Sequence, residues 1–143
     1  MKPADIIRRL IYQENELYGL YKLGETFALF ERPELRDTFR LIAEEELRHR
    51  RTLEKLLEEG TLEREIIDYV DALSVEPLLA DERANPESME ELVLEALLRE
   101  KHAYELYSKL AEIMSGSLGD IFLNIAREEL AHAYRLKLIY ESI

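Results

Sequence analysis

Residues 39–49, FRLIAEEELRH, return as FLNIAREELAH at residues 122–132, and seven of the eleven positions are identical. The segments before the two copies match more loosely: Glu14 and Tyr21 have Glu100 and Tyr107 as their counterparts. Two segments that recur in the same order indicate that the chain consists of two related halves.

Apolar residues recur at intervals of three and four positions around both copies, which predicts helices rather than strands. We expect four helices, at 3–30, 34–59, 87–115 and 118–142. Residues that end helices or form turns separate them: Pro33, Gly60, Asn85-Pro86 and Ser115-Gly116-Ser117. The sequence therefore predicts an all-α protein, folded as an antiparallel four-helix bundle in a single domain of residues 1–143.

The bundle is expected to contain two helical hairpins, residues 3–59 and 87–142, joined by a linker at 60–86. This linker is a long crossover between helices 2 and 3, and we expect it to run back along the bundle. The hairpins would then be related by a pseudo-two-fold axis. Within the linker, residues 65–70 could form a short helix.

Composition excludes several classes of function. The net charge of −12 leaves no basic surface for nucleic acid. The chain has no cysteine, which excludes disulfides, thiolate metal sites and iron–sulfur clusters within it. It shows neither a signal peptide nor the run of about 20 apolar residues that spans a membrane. We therefore expect a cytoplasmic protein that binds neither membrane nor nucleic acid.

Each helix has one stripe of residues expected to face the core, and each stripe carries a glutamate at its centre. The stripes are Ile7, Leu10, Glu14, Leu17, Tyr21, Gly24, Ala28; Phe39, Ile42, Glu46, His49, Leu53, Leu56; Val93, Ala96, Glu100, Ala103, Tyr107, Leu110, Met114; and Phe122, Ile125, Glu129, His132, Leu136, Ile139. In helices 2 and 4 a histidine follows the glutamate by three residues, on the same face.

A single glutamate on an apolar face usually extends to solvent or pairs with arginine. Here no Lys or Arg lies on any of the four stripes. Several carboxylates in one dry core would be very costly unless they were protonated or neutralised. Two divalent cations would balance four negative charges, and carboxylate oxygen with neutral imidazole nitrogen suits iron or manganese. The candidate ligands are Glu14, Glu46, His49, Glu100, Glu129 and His132.

The positions of these residues along the chain agree with this interpretation. The midpoint between Glu14 and the Glu46/His49 pair falls near residue 31, next to the turn at Pro33. The corresponding midpoint in the second half falls near residue 115, also at a predicted turn. Antiparallel helices folded at those turns would bring the ligands of each hairpin to one height.

One glutamate from each of two helices and Glu-x-x-His from each of the other two is the pattern of di-metal carboxylate proteins. Over all four helices the chain resembles the ferritin-like superfamily, and its two Glu-x-x-His motifs make it most similar to the rubrerythrin branch. Tyr21 and Tyr107, seven residues after Glu14 and Glu100, also resemble the family. Each returns to the same helix face, where its phenol could hydrogen-bond a ligand; simple core packing is the alternative.

The resemblance implies a non-haem di-iron oxidoreductase that reacts with hydrogen peroxide or dioxygen, as a peroxidase or a ferroxidase, in the defence against oxidative stress. Two iron ions are expected, with manganese or zinc as alternatives. Glu14 and Glu100 would be terminal ligands, Glu46 and Glu129 bridges, and His49 and His132 terminal nitrogens.

The chain departs from the rubrerythrin pattern at two points. The extra glutamate three residues after the helix 3 ligand is replaced by Ala103, and the chain has no cysteine, whereas rubrerythrins often carry a rubredoxin-like domain that contains cysteines. Electrons would therefore come from an external donor such as a rubredoxin-like protein. We also expect a homodimer.

Several other polar residues have more than one interpretation. Glu45 and Glu128 lie beside the stripes and could be metal ligands, support the ligands or lie at an interface. His102, two residues from Glu100, should point away from the site and lie at the surface. The arginines at 48, 50 and 51 form a solvated face that could also bind an acidic redox partner.

Two further functions fit the same residues. One is iron or manganese binding or storage without catalysis, and the other is a metal-free helical interaction protein.

Overall fold

The computed structural model describes residues 3–59, 85–114 and 116–143, and these form long α-helices with no β-strand among them. The elements are α1 (Pro3–Glu31), a short 3₁₀ helix (Pro33–Leu35), α2 (Arg36–Glu59), α3 (Met89–Ile113) and α4 (Gly116–Ser142). The prediction of an all-α protein with four helices is confirmed. None of these described helices is long and apolar enough to cross a membrane.

Local hydrogen bonds explain why α2 and α3 each begin two residues later than expected. Pro33 has no N–H and a fixed φ, which suits the first position of a short helix, so the 3₁₀ turn precedes α2. At the start of α3, the Ser88 hydroxyl accepts a hydrogen bond from the backbone N–H of Glu91 at 3.1 Å. Ser88 is therefore the N-cap, and the helix begins at Met89.

The turn between α3 and α4 lies two residues earlier than the sequence predicts, because α3 ends at Ile113 rather than at residue 115 and α4 begins at Gly116 rather than at residue 118. Gly116 has φ = 74°, a conformation that glycine adopts without steric cost. One turn later, a Cβ atom at Gly119 would lie 2.3 Å from the carbonyl oxygen of Met114. Only glycine fits at this position without moving the backbone.

Two apolar clusters show the direction of each helix. The first core cluster joins the start of α1 and α4 to the end of α2 and α3: Ile6, Ile7, Leu10, Leu53, Leu56, Ala103, Leu106, Tyr107, Leu110, Met114, Leu118, Phe122, Ile125 and Ala126. The second core cluster joins the opposite ends: Leu17, Leu20, Tyr21, Ala28, Phe39, Ile42, Ala43, Met89, Leu92, Val93, Ala96, Leu136 and Ile139.

Each hairpin is therefore antiparallel, whereas α2 and α3 run in the same direction. The end of α2 and the start of α3 lie at opposite ends of the bundle. This arrangement requires a crossover between helices 2 and 3, as predicted. The connecting residues 60–84, including the short helix predicted at 65–70, lie outside the described residues.

Every position of the four predicted stripes is buried. The two halves also pack alike: the Tyr21 and Phe39 rings lie 6.5 Å apart, and their counterparts Tyr107 and Phe122 lie 6.2 Å apart, with nearly the same tilt. This correspondence extends the sequence repeat to three dimensions.

We predict that Gly119→Ala lowers the free energy of unfolding by about 1–3 kcal/mol, because the new methyl group would overlap a backbone oxygen. The matched control is Gly19→Ala, at an exposed helical position with no atom within 4 Å of the added Cβ. That change should stabilise the protein by about 0.5–1 kcal/mol. Thermal and urea unfolding of both variants measures the difference, and equal stability for the two would contradict the close approach at Gly119.

Candidate metal centre

The structure brings all six candidate ligands together between the two core clusters. Their exposure is 0% for Glu46, Glu100, Glu129 and His132, 1% for Glu14 and 3% for His49. Each helix contributes its central stripe residue because the helices of each hairpin are in register. The result is a polar layer enclosed by apolar side chains on both sides.

The six residues form two overlapping groups, and each group could hold a metal ion. One group is Glu14, Glu46, His49 and Glu129, and the other is Glu46, Glu100, Glu129 and His132. Within each group the ligand atoms all lie within 4.8 Å of one another. Glu46 and Glu129 belong to both groups, so each group draws residues from both hairpins.

Both imidazoles direct Nδ1 toward this cluster. His132 Nδ1 lies 2.7 Å from an oxygen of Glu46, and His49 Nδ1 lies 3.1 Å from an oxygen of Glu129. In both pairs the histidine faces the Glu-x-x-His glutamate of the other hairpin. The two rings are 6.2 Å apart.

Many polar atoms of the cluster have no hydrogen-bond partner, although they are buried. They are Glu14 Oε2, both carboxylate oxygens of Glu46 and Glu129, Glu100 Oε2, and Nδ1 of His49 and His132. The close approaches between these atoms do not have the geometry of hydrogen bonds. Buried polar atoms of this kind are rare and require an explanation. A pair of cations among them would satisfy these oxygens and nitrogens together, so the residues fit the metals that the sequence predicts.

The cluster shifts the pKa of its own members strongly. Burial and the charge of Glu129 raise the pKa of Glu100 to about 8. Burial and the neighbouring carboxylates, Glu100 first among them, raise the pKa of Glu46 well above its usual range. Burial alone would also raise the pKa of Glu129, but the two facing imidazoles lower it below its usual range. Without metal, the carboxylates therefore compete for protons.

Burial acts on the pKa of the histidines in the opposite direction. Burial lowers the pKa of His49 and of His132, but the surrounding carboxylates outweigh burial and raise both pKa values well above the usual range. In the metal-free protein the two imidazoles thus supply positive charge that partly balances the glutamates. Bound cations would replace those protons.

Each buried tyrosine donates a hydrogen bond to a glutamate of the other hairpin. The Tyr21 hydroxyl lies 2.5 Å from Glu100 Oε1, and the Tyr107 hydroxyl lies 2.7 Å from Glu14 Oε1. Burial first, and then the nearby carboxylates, raise the pKa of both phenols, so each stays a donor. The sequence suggested a phenol beside a ligand but gave no sign of this exchange between hairpins.

Glu45 and Glu128 contact the far side of the imidazoles rather than joining either group. Glu128 Oε2 lies 2.8 Å from His49 Nε2, and Glu45 Oε2 lies 2.5 Å from His132 Nε2. A carboxylate can only accept, so Nε2 carries the hydrogen and Nδ1 remains the atom that faces the cluster. Of the interpretations left open by the sequence, the contacts favour support of the histidines.

The remaining predicted residues lie outside the two groups. His102 is partly buried and belongs to neither group, so it points away from the ligands as predicted but is less exposed than a surface position suggests. Ala103 and its counterpart Leu17 are buried beside the ligand layer and offer no further oxygen. In the predicted arginine face, Arg48 and Arg51 are exposed and Arg50 is partly buried. Arg48 pairs with Glu128, and Arg50 pairs with Glu54.

A comparison with protein families identifies a match over almost the whole chain. The family model described as Rubrerythrin matches residues 5–140, which include all six candidate ligands. Comparisons with curated proteins and with solved structures found no match.

The shifted pKa values predict how stability depends on pH in the metal-free protein. As the pH falls, Glu100 takes up a proton at about 8 in the folded state, whereas in the unfolded chain it stays ionised until about 4.5. The folded state holds more protons in this interval, so its stability rises as the pH falls, by about 1.4 kcal/mol per pH unit for one extra proton. The raised pKa values of the histidines act in the same direction between pH 8 and 6.5.

Urea unfolding of chelator-treated protein at pH 8, 6.5 and 5 measures this dependence. We expect the highest stability at pH 5. Glu100→Gln, which cannot titrate at this position, should show a weaker dependence on pH. A free energy of unfolding that decreases from pH 8 to pH 5 would contradict the picture of competing buried carboxylates.

Proposed function

This chain belongs to the rubrerythrin family, and from that membership we propose that it is a non-haem di-iron oxidoreductase that reduces hydrogen peroxide or dioxygen. Peroxidase activity is the first candidate and ferroxidase activity the second. The observation that carries the proposal is the pair of buried groups that share Glu46 and Glu129. Two groups with common carboxylates are what a pair of adjacent cations needs.

In this proposal each ion has one histidine and one unshared glutamate. His49 and Glu14 would hold one ion, His132 and Glu100 the other, and the two shared glutamates would bridge them. The orphaned atoms of the cluster support this assignment, because each lies on a residue with a ligand role. Two divalent ions also match the charge of four carboxylates.

When bound, the two ferrous ions would supply the two electrons that reduce hydrogen peroxide to water. The protein's contribution is to position the ligands and to shield them from bulk water. Tyr21 and Tyr107 each hold one oxygen of a terminal glutamate, which leaves the other oxygen of Glu100 and of Glu14 for an ion. The two core clusters exclude bulk water from above and below the ligand layer, which strengthens every electrostatic interaction within it.

We also propose that electrons enter from a separate protein or small reductant in the cytoplasm. The chain has no cysteine with which to build a rubredoxin-type iron site of its own. A rubredoxin-like protein would be one such donor.

Metal content is the first test of the proposal. Variants of the two shared glutamates are the most discriminating, because each glutamate would serve both ions. Wild-type protein should bind two ions per chain, and Glu46→Ala or Glu129→Ala should lower the ratio well below two, because each removes a ligand from both ions. Glu44→Ala, at an exposed position on the same helix as Glu46, is the control and should keep two ions. Elemental analysis after iron loading without oxygen gives the ratio. Two ions retained in either bridging variant would exclude the assignment.

The second test concerns the oxidant. The ferrous protein should be oxidised by peroxide faster than by dioxygen. Ala103→Glu should widen that margin, because it restores a carboxylate beside the ligand layer at the position where the resembled family carries one. Leu17→Glu, at the equivalent position of the first half, is the comparison variant. Stopped-flow absorbance under each oxidant gives the two rates. If wild type binds two ions but reacts with neither oxidant, metal binding or storage without catalysis takes the place of the redox proposal.

A further inference from the structure

We propose that Arg48 makes the two halves of the metal site unequal, so that the half with His132 binds a divalent ion more tightly than the half with His49. This inference rests on the proposed function, since it concerns the same two ions. It identifies Glu45, Glu128 and Arg48 as positioning residues that act through the histidines. None of the three belongs to either group of candidate ligands.

The two imidazoles differ first in the carboxylates that hold them. Glu45 accepts from His132 Nε2 at 2.5 Å, and its side chain is 19% exposed. Glu128 accepts from His49 Nε2 at 2.8 Å, and its side chain is 38% exposed. Glu45 is the less exposed of the two carboxylates, so water competes less for the oxygen that His132 contacts and this bond is the stronger one.

The two carboxylates differ further in their arginines. Arg48 donates to Glu128 Oε2 at 2.6 Å, and this is the same oxygen that accepts the bond from His49. Arg135 lies 3.7 Å from Glu45, beyond hydrogen-bond distance, and on the oxygen that His132 does not contact. Only in the first case does a full positive charge compete with the imidazole for one oxygen.

The sequence repeat shows that this difference is built into the chain. Glu45 and Glu128 are equivalent, as are the two histidines, at a spacing of 83 residues. At that spacing the counterpart of Arg48 is Ala131, and the counterpart of Arg135 is Thr52. The ligands have kept the two-fold symmetry of the repeat, and the arginines that contact their supporting glutamates have lost it.

The consequence for metal binding follows from the electronic effect of the hydrogen bond. A carboxylate that accepts from Nε2–H pushes electron density into the ring and makes Nδ1 a better ligand. Arg48 withdraws density from the Glu128 oxygen that holds His49 and so weakens His49 as a donor. Arg135 and Arg48 also act on Glu45, but only through space, since Arg135 lies 3.7 Å from the oxygen that His132 does not contact. His132 therefore keeps more of the effect of its carboxylate than His49 does. The tyrosine bonds to the terminal glutamates differ by only 0.2 Å, and both donors are neutral phenols. The charged arginine therefore outweighs them.

The experiment is a titration of metal-free protein with Co(II) in the absence of oxygen, followed by visible absorbance and calorimetry. Wild type should bind two ions in two steps whose affinities differ about tenfold, the lower end of the range for changes around a ligating histidine. His132→Ala should remove the tighter step, and His49→Ala should remove the weaker one. Glu45→Gln should weaken the tight step, and Glu128→Gln should have a smaller effect on the weak step.

Arg48→Gln is the decisive variant and should bring the two affinities to within about threefold, by strengthening the weaker step. The control is Arg51→Gln, which removes the same charge from an exposed position three residues away. It should leave the ratio of the two steps unchanged even if overall cation affinity rises. Arg48→Lys keeps the charge and should restore part of the difference.

The inference is overturned if two ions bind with equal affinity, if the site with His49 is the tighter, or if Arg48→Gln and Arg51→Gln change the ratio alike. Failure to bind two ions at all is a different result and would overturn the proposed function, from which the inference proceeds. Zinc-loaded protein gives a readout that does not depend on affinity. In its proton spectrum the Nε2–H resonances of the two histidines should differ, with that of His132 shifted further downfield.

Discussion

Four glutamate side chains with at most 1% exposure meet at the centre of the bundle, and the free energy of burying their charge constrains every neighbouring residue. The two imidazoles are the nearest compensating groups, and they too are buried. The phenols of Tyr21 and Tyr107 complete the layer by donating to carboxylate oxygens. The apolar clusters on either side provide the folding free energy that holds these groups together, since a charged layer without metal does not stabilise itself.

The helix directions determine how the layer is assembled. Because α2 and α3 run in the same direction, the two hairpins face each other across a pseudo-two-fold axis, and equivalent residues approach from opposite sides. Contacts between the hairpins therefore come in pairs: Tyr21 reaches Glu100 as Tyr107 reaches Glu14, and His49 reaches Glu128 as His132 reaches Glu45. An internal repeat produces such similar geometry within each pair when both copies keep the same side-chain contacts.

The sequence predicted the four helices, the buried stripes and the meeting of the six candidate ligands. It could do so because helical periodicity determines which residues share a face, and because the turns near Pro33 and residue 115 place the ligands of each hairpin at one height. The exchange of hydrogen bonds between hairpins could not be predicted from the sequence, since periodicity does not indicate which helix lies opposite a given face. The same holds for the role of Glu45 and Glu128, which depends on the distance between α2 and α4. The start of α4 at Gly116 depends on one backbone conformation, and the partial burial of His102 on packing between helices, neither of which is visible in the hydrophobic pattern.

The sharing of Glu46 and Glu129 between the two groups has a consequence for metal binding during synthesis and folding. Each hairpin contains three members of one group and only one member of the other, so neither group is complete without the second hairpin. A chain that has emerged only in part from the ribosome, or whose hairpins have not yet docked, offers an open and weakly chelating set of side chains. On the proposed function, an ion would be retained only after both halves have closed around it, so metal binding would depend on completed folding.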